Sequence, residues 1–155
     1  AVCSPKPVQR PHPPILVGGS GPKVSLRIAA QYAQLHNLAT GGPKESAEVL
    51  GVLREHCEAL GRDYDAIEKT RLTPILFVDD EADAERRIAE LRRVAETEGG
   101  FRARTLIGTP GQIAEQLQAF VDVGIETFIT SFWDVDELVP LRTLMNDVAP
   151  LVGRR

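Results

Sequence analysis

Twice in its first fifty residues the chain passes from apolar to small to helical. Pro14-Ile15-Leu16-Val17 gives way to Gly18-Gly19-Ser20-Gly21-Pro22, and Asn37-Leu38-Ala39 to Thr40-Gly41-Gly42-Pro43. Such a corner is how a strand hands backbone N–H groups to the start of a helix, where unpaired donors and the dipole favour an anion. Glycine supplies the positive φ and the close backbone approach that the turn needs. Each corner is either a phosphate cradle or a plain strand-to-helix connection. Both readings demand a sheet flanked by helices.

The remaining pattern repeats that alternation. Residues 1–13 form a Pro-rich extended lead-in, since Pro5, Pro7, Pro11 and Pro13 forbid regular structure. Ile15–Val17 reads as a short strand buried on both faces. A helix follows from Pro22 to Gln34, with Leu26, Ile28, Ala29, Tyr32 and Ala33 supplying the inward spacing. Leu35–Ala39 is a second strand, and the helix after it runs to Leu60 on a stripe of Val49, Leu50, Leu53 and Cys57, stopped by Gly61. Asp63–Glu68 reads as one further helical turn, and Thr73–Val78 as the third strand. Asp79-Asp80-Glu81 opens a helix to Glu98 that packs Ala84, Ile88, Leu91 and Ala95, with Gly99-Gly100 breaking it. Leu106-Ile107-Gly108 leads into Thr109-Pro110-Gly111-Gln112, a capping box with Pro at N1. Glu126–Thr130 is the fourth strand, and a last helix from Asp136 carries Leu138, Leu141, Leu144, Met145 and Val148. Four strand–helix units of this kind make an α/β protein with a parallel sheet and right-handed crossovers. Two architectures fit: a small doubly wound sheet, or half of an eight-stranded (β/α) barrel.

Composition removes several functions. With 43% apolar residues among 155 the chain has material for a core, yet it has no run of about 18 apolar residues to cross a bilayer. Residues 1–78 carry +2 and residues 79–155 carry −6, with no basic face interleaved with aromatics, so nucleic acid is not the expected partner. Cys3 and Cys57 lie far apart without a CxxC, which predicts neither a disulfide framework nor a zinc site and fits a reducing cytoplasm. His56 and Cys57, neighbours on a helix, point about 100° apart and cannot share a metal; Cys57 is expected to pack as a small hydrophobe. The opening Ala1-Val2-Cys3-Ser4 has no Met and no signal core, and reads as a cut into a longer chain.

Pro14–Gly21, the Ala-rich helix Leu26–Ala33 and the segment ending at Asn37 resemble the luciferase-like monooxygenase family, more closely its branch that uses the deazaflavin coenzyme F-420. Leu53-Arg54-Glu55-His56-Cys57, Gly61-Arg62-Asp63, Gly108-Thr109-Pro110 and Val123–Ile129 are similar to it as well. The resemblance implies that residues 1–155 are the C-terminal half of a single TIM barrel, its last four parallel strand–helix units. It also implies an oxidoreductase that transfers hydride between coenzyme F-420, or alternatively FMN, and a small-molecule substrate. By position, the cofactor phosphate would be held by Gly18, Gly19, Ser20 and Gly21 after the first strand and by Ala39, Thr40 and Gly41 after the second.

Other residues carry paired readings. Lys23 either adds charge to the phosphate or is simply exposed. His36 departs from the family's acidic pattern before the Asn, and either touches the ligand at the mouth or caps a strand. Ser131, Phe132, Trp133 and Asp134 either line a pocket after the last strand or, for Trp133, anchor the final helix. No catalytic residue is named, because in the family the ring-facing groups come from the other half. The open edges of a half barrel predict a homodimer or association with that half. The alternative from another class is a non-catalytic barrel remnant that serves as a binding or structural module.

Overall fold

The computed structural model describes residues 4–92, 96–133 and 138–153. Its centre is a parallel sheet of β1 (Leu16–Gly18), β2 (Leu35–Leu38), β3 (Glu68–Phe77), β4 (Leu106–Gly108) and β5 (Thr127–Phe132). The helices are α1 (Ser25–Tyr32), α2 (Pro43–Leu60), α3 (Glu81–Leu91), α4 (Glu98–Arg104), α5 (Pro110–Asp122) and α6 (Val139–Thr143). A π turn over Leu144–Val148 and a 3-10 turn over Ala149–Leu151 follow.

Register fixes the strand order. Thr70 on β3 pairs with Asn37 of β2 and with Thr127 of β5, so those two strands flank β3 on opposite sides. Ile75 likewise pairs with both Leu106 of β4 and Phe132 of β5. β4 therefore shares the edge of β3 with β2, further toward the C-terminal end. The strands of the four predicted strand–helix units run β1-β2-β3-β5, and β4 is a three-residue addition at the rim.

Alternation divides the sheet into two faces. Val17, Leu38, Ile75 and Phe77 point into a core closed by α1, α2 and α5, with Leu26, Ala29, Leu53, Ile113, Leu117 and Phe120 buried on the helices. Most of the other face is bare: Leu16, Leu72 and Ile129 are 45%, 40% and 42% exposed. Only its C-terminal end is covered, where α3 and α4 close Leu76, Val78, Ala84, Ile88 and Phe101 into a second cluster.

Several boundaries differ from the sequence reading, each for a local reason. β1 is an edge strand whose Leu16 faces the bare side, so it is not buried on both faces. The third strand begins at Glu68, five residues early, because Lys69 and Arg71 occupy inward positions that normally read as apolar. The expected helical turn is instead a turn over residues 64–67 that leads into that strand, with Asp63 Oδ1 accepting from the Asp65 N–H at 2.9 Å. The helix from Asp80 ends at Leu91, and Gly99 and Gly100 lie inside α4, whose Thr97 cap accepts from Gly100 N–H. Ala95 lies outside the described residues. Leu106–Gly108 is a strand in its own right, and β5 extends to Phe132. The last helix is described only from Val139, and of its expected stripe Val148 is buried and Leu144 packs on the core, while Leu138, Leu141 and Met145 are exposed.

The caps behave as their residues dictate. Thr109 and Gln112 close the α5 capping box, and Gly61 ends α2 in the left-handed region at φ 65°. Arg62 then reaches back to the carbonyls of Ala29, Ala30 and Ala33, satisfying the C-terminal acceptors of α1.

Candidate functional site

Both glycine corners lie at one rim. Gly18 pairs with Asn37 in register, and the Gly19 N–H donates to Asn37 O at 3.3 Å. Because β1 and β2 are parallel neighbours, the turns leaving them emerge side by side at the C-terminal edge, where open α/β sheets bind ligands.

The first turn is a long exposed loop. α1 starts at Ser25, three residues later than the sequence suggested, so residues 19–24 project as irregular backbone. Gly19 sits at φ 108°, a region closed to most side chains. The α1 N-terminus has no side-chain cap and no acid in its first turn, so no side-chain anion competes there, although the Leu26 N–H already donates to Gly21 O at 3.1 Å. Lys23 is exposed beside it. His56 on α2 steadies the loop: its Nε2–H donates to Pro22 O at 2.7 Å.

The second turn is tighter and already occupied by its own chain. Ala39 and Thr40 are exposed, and Gly41 has φ 82°. A Cβ on Gly41 would lie 2.9 Å from Glu45 Cβ, so the turn needs glycine twice over, for φ and for space. Glu45 Oε2 accepts from the Gly42 N–H at 2.9 Å, the side-chain half of a cap at the start of α2. Beneath the turn lies Arg71, whose Nη2 donates to Gly41 O at 2.7 Å and whose Nη1 donates to Thr40 O at 3.4 Å. Neither Arg71 nor Glu45 stood out in the sequence. A Glu three residues after a Gly cap was the available signal for Glu45; a buried arginine mid-strand had none.

His36 is not at the mouth. It faces the helices, fully buried, and its Nδ1–H donates to Val17 O at 3.0 Å while Nε2 has no partner. Burial holds its pKa below the ordinary value, so the ring is neutral. Its role is to tie β1 to β2. Ser131 and Phe132 belong to β5, and Phe132 stacks on Phe77 with ring centroids 6.4 Å apart. Trp133 packs on Phe101 at 5.2 Å and under the Arg104 guanidinium at 5.1 Å, so it anchors α4. Asp134 lies outside the described residues. Among the described residues, no helix is long and apolar enough to cross a membrane.

Residues 1–127 match the sequence model of the luciferase-like monooxygenases. Solved structures of similar shape include the coenzyme F-420 dependent tetrahydromethanopterin reductase of Methanopyrus kandleri, at 16% identity and a TM-score of 0.69. That alignment covers 90% of this chain and 51% of the reductase. An F-420-dependent secondary alcohol dehydrogenase, solved with an F-420–acetone adduct, gives 16% identity and a TM-score of 0.71 over 90% of this chain and 49% of its own. The oxygenating constituent of 3,6-diketocamphane monooxygenase from Pseudomonas putida, solved with FMN, gives 17%, 0.62, 92% and 50%. The chain thus has the α/β architecture of these TIM-barrel enzymes and spans about half their length.

Proposed function

The chain belongs to the luciferase-like monooxygenase family, and we propose that its part in that family's redox chemistry is to hold the phosphate of coenzyme F-420, with FMN as the alternative. The carrying observation is the pairing of Gly18 with Asn37, which brings Gly18–Gly21 and Ala39–Gly41 to one rim. An anion there meets backbone donors from two corners and the uncapped start of α1. The Ser20 and Thr40 hydroxyls add donors of the kind a phosphate accepts. Gly19 and Gly41 fit a close-approaching ligand because each has a backbone conformation that a side chain would strain.

A bound flavin or deazaflavin supplies the hydride chemistry itself, acting on a small organic substrate. What this chain contributes is orientation: it fixes the tail at the rim and leaves the ring end free to reach over the bare face of the sheet. That face exposes Leu16, Leu72 and Ile129, while Thr70 on the same face is buried with its hydroxyl donating to Asn37 Oδ1 at 2.9 Å. Titration with coenzyme F-420 and with FMN, followed by fluorescence, tests the reading. Gly19→Val and Gly41→Val should each weaken binding at least tenfold; folded variants that bind as well as the parent would overturn it.

A further inference from the structure

Arg71 is a buried charge without a counter-charge. The residue is 2% exposed, and its guanidinium lies 4.0 Å from the centre of the Phe120 ring. Among the described residues it forms no ion pair, and its Nε has no hydrogen-bond partner. Burying an arginine on such terms is costly, and an aromatic face and two carbonyls offset only part of the cost. A stabilising anion close by would complete the arrangement.

The geometry of the second turn shows where that anion belongs. Arg71 holds the carbonyls of Thr40 and Gly41. Each carbonyl shares a trans peptide plane with the next residue's N–H, which points the opposite way. Pulling both carbonyls toward Arg71 therefore turns the Gly41 and Gly42 N–H groups away from it. The Gly42 N–H already meets an anion on that side, the Glu45 carboxylate at 2.9 Å.

We propose that Arg71 is a positioning residue that aims the Gly41 and Gly42 N–H groups at the ligand's phosphate, and that Glu45 is the resident anion this phosphate displaces. The inference rests on the reading of the two corners as a phosphate site. It assigns the second corner a preference for a ligand with an anionic phosphate group over a neutral one. It also gives two side chains opposite effects on binding, which a merely structural role for both does not.

The test compares FMN with riboflavin, which lacks the phosphate, by fluorescence titration of the 155-residue chain. The ratio of the two affinities isolates the phosphate contribution. In the parent chain FMN should bind at least tenfold tighter. Arg71→Lys keeps the charge but loses the two-pronged grip, and should cut the ratio severalfold; Arg71→Met should bring it close to one. Glu45→Gln keeps a capping acceptor without the charge, and should raise the ratio about threefold or more. Should Arg71→Met fail to fold, Arg71→Lys and the Gly41 and Gly42 amide shifts on titration with inorganic phosphate carry the decision. Those shifts should move in the parent chain and move further in Glu45→Gln. An unchanged ratio in Arg71→Lys and Arg71→Met, a lowered one in Glu45→Gln, or silent amides would overturn the inference while leaving the phosphate site standing. A parent ratio of one would remove the phosphate site itself, and this inference with it.

Discussion

Replacing Gly41 with alanine isolates what the second corner requires. At φ 82° an L-residue loses roughly 1–2 kcal/mol relative to glycine. The new Cβ would also stand 2.9 Å from Glu45 Cβ, inside any real contact distance, so the first turn of α2 must shift. Relaxation there adds about 1 kcal/mol, the usual scale for modest overpacking. The total is roughly 2–3 kcal/mol, which for a chain of 155 residues lowers the melting temperature by about 4–12 °C. Gly51→Ala is the internal control. Gly51 sits inside α2, and its Cβ would meet nothing within 4 Å, so alanine should stabilise by about 0.5–1 kcal/mol through helix propensity alone. Urea unfolding of the two variants beside the parent reads both signs in one experiment. A Gly41→Ala chain as stable as the parent would refute the left-handed turn, and with it the argument that the corner is built for close approach.

Three other perturbations follow from buried groups. His36 has its pKa lowered by burial, so the unfolded chain takes up a proton that the folded chain resists; stability should be complete above about pH 6.5 and fall below it, by at most about 1.4 kcal/mol per pH unit. His36→Gln should flatten that stretch of the urea-midpoint profile, and an equally steep profile in the variant would assign the slope elsewhere. Cys57 is fully buried with its thiol pKa pushed up, so peptide mapping after thiol labelling should find it modified only once denaturant is added. The Lys69 side chain is 4% exposed and meets Glu126 Oε1 at 2.8 Å, with Glu126 half exposed; Glu126→Gln should cost about 1–3 kcal/mol in urea, less than for a fully buried pair.

The parts of the fold that were legible in sequence are those governed by local rules. Capping residues announced α2 and α5, because Pro at N1, Gly in the left-handed region and the Thr109–Gln112 box act within one turn of the chain. The two corners were legible for the same reason. The start of β3 was not, because Lys69 and Arg71 are held inside by partners far away in sequence, Glu126 at 2.8 Å for one and the Thr40 and Gly41 carbonyls for the other, with Asp65 and Tyr64 adding local contacts to Lys69. Leu106–Gly108 was too short to be read as a strand without its pairing to Ile75–Phe77. Gly99-Gly100 misled in the opposite sense, since Thr97 caps the helix that contains them. The sequence placed His36 by its position before the corner, but side-chain direction in a strand follows parity, and parity sends it to the helices.

Parity also explains why, among the described residues, the middle of the bare face beside the two corners carries no acid or base. Along β1, β2, β3 and β5, positions in register alternate between the helix-covered core and the bare face. The titratable groups His36, Lys69 and Arg71 fall on the covered side, committed to Val17, Glu126 and the second corner, and Glu68, at the N-terminal end of β3, faces the bare side with its carboxylate accepting from the Thr127 hydroxyl. At the central registers the bare side receives Leu16, Gly18, Asn37, Thr70, Leu72 and Ile129, none of which gains or loses a proton near neutrality. A redox step that moves hydride on a bound cofactor needs position and a dry surface from such a face more than it needs proton transfer. On the proposed reading, the exposed Leu16, Leu72 and Ile129 would give that step an apolar surface, and they stay wet until something covers them. Covering that face should therefore tighten binding of the ring and leave the phosphate contribution, set at the rim by the two corners, unchanged.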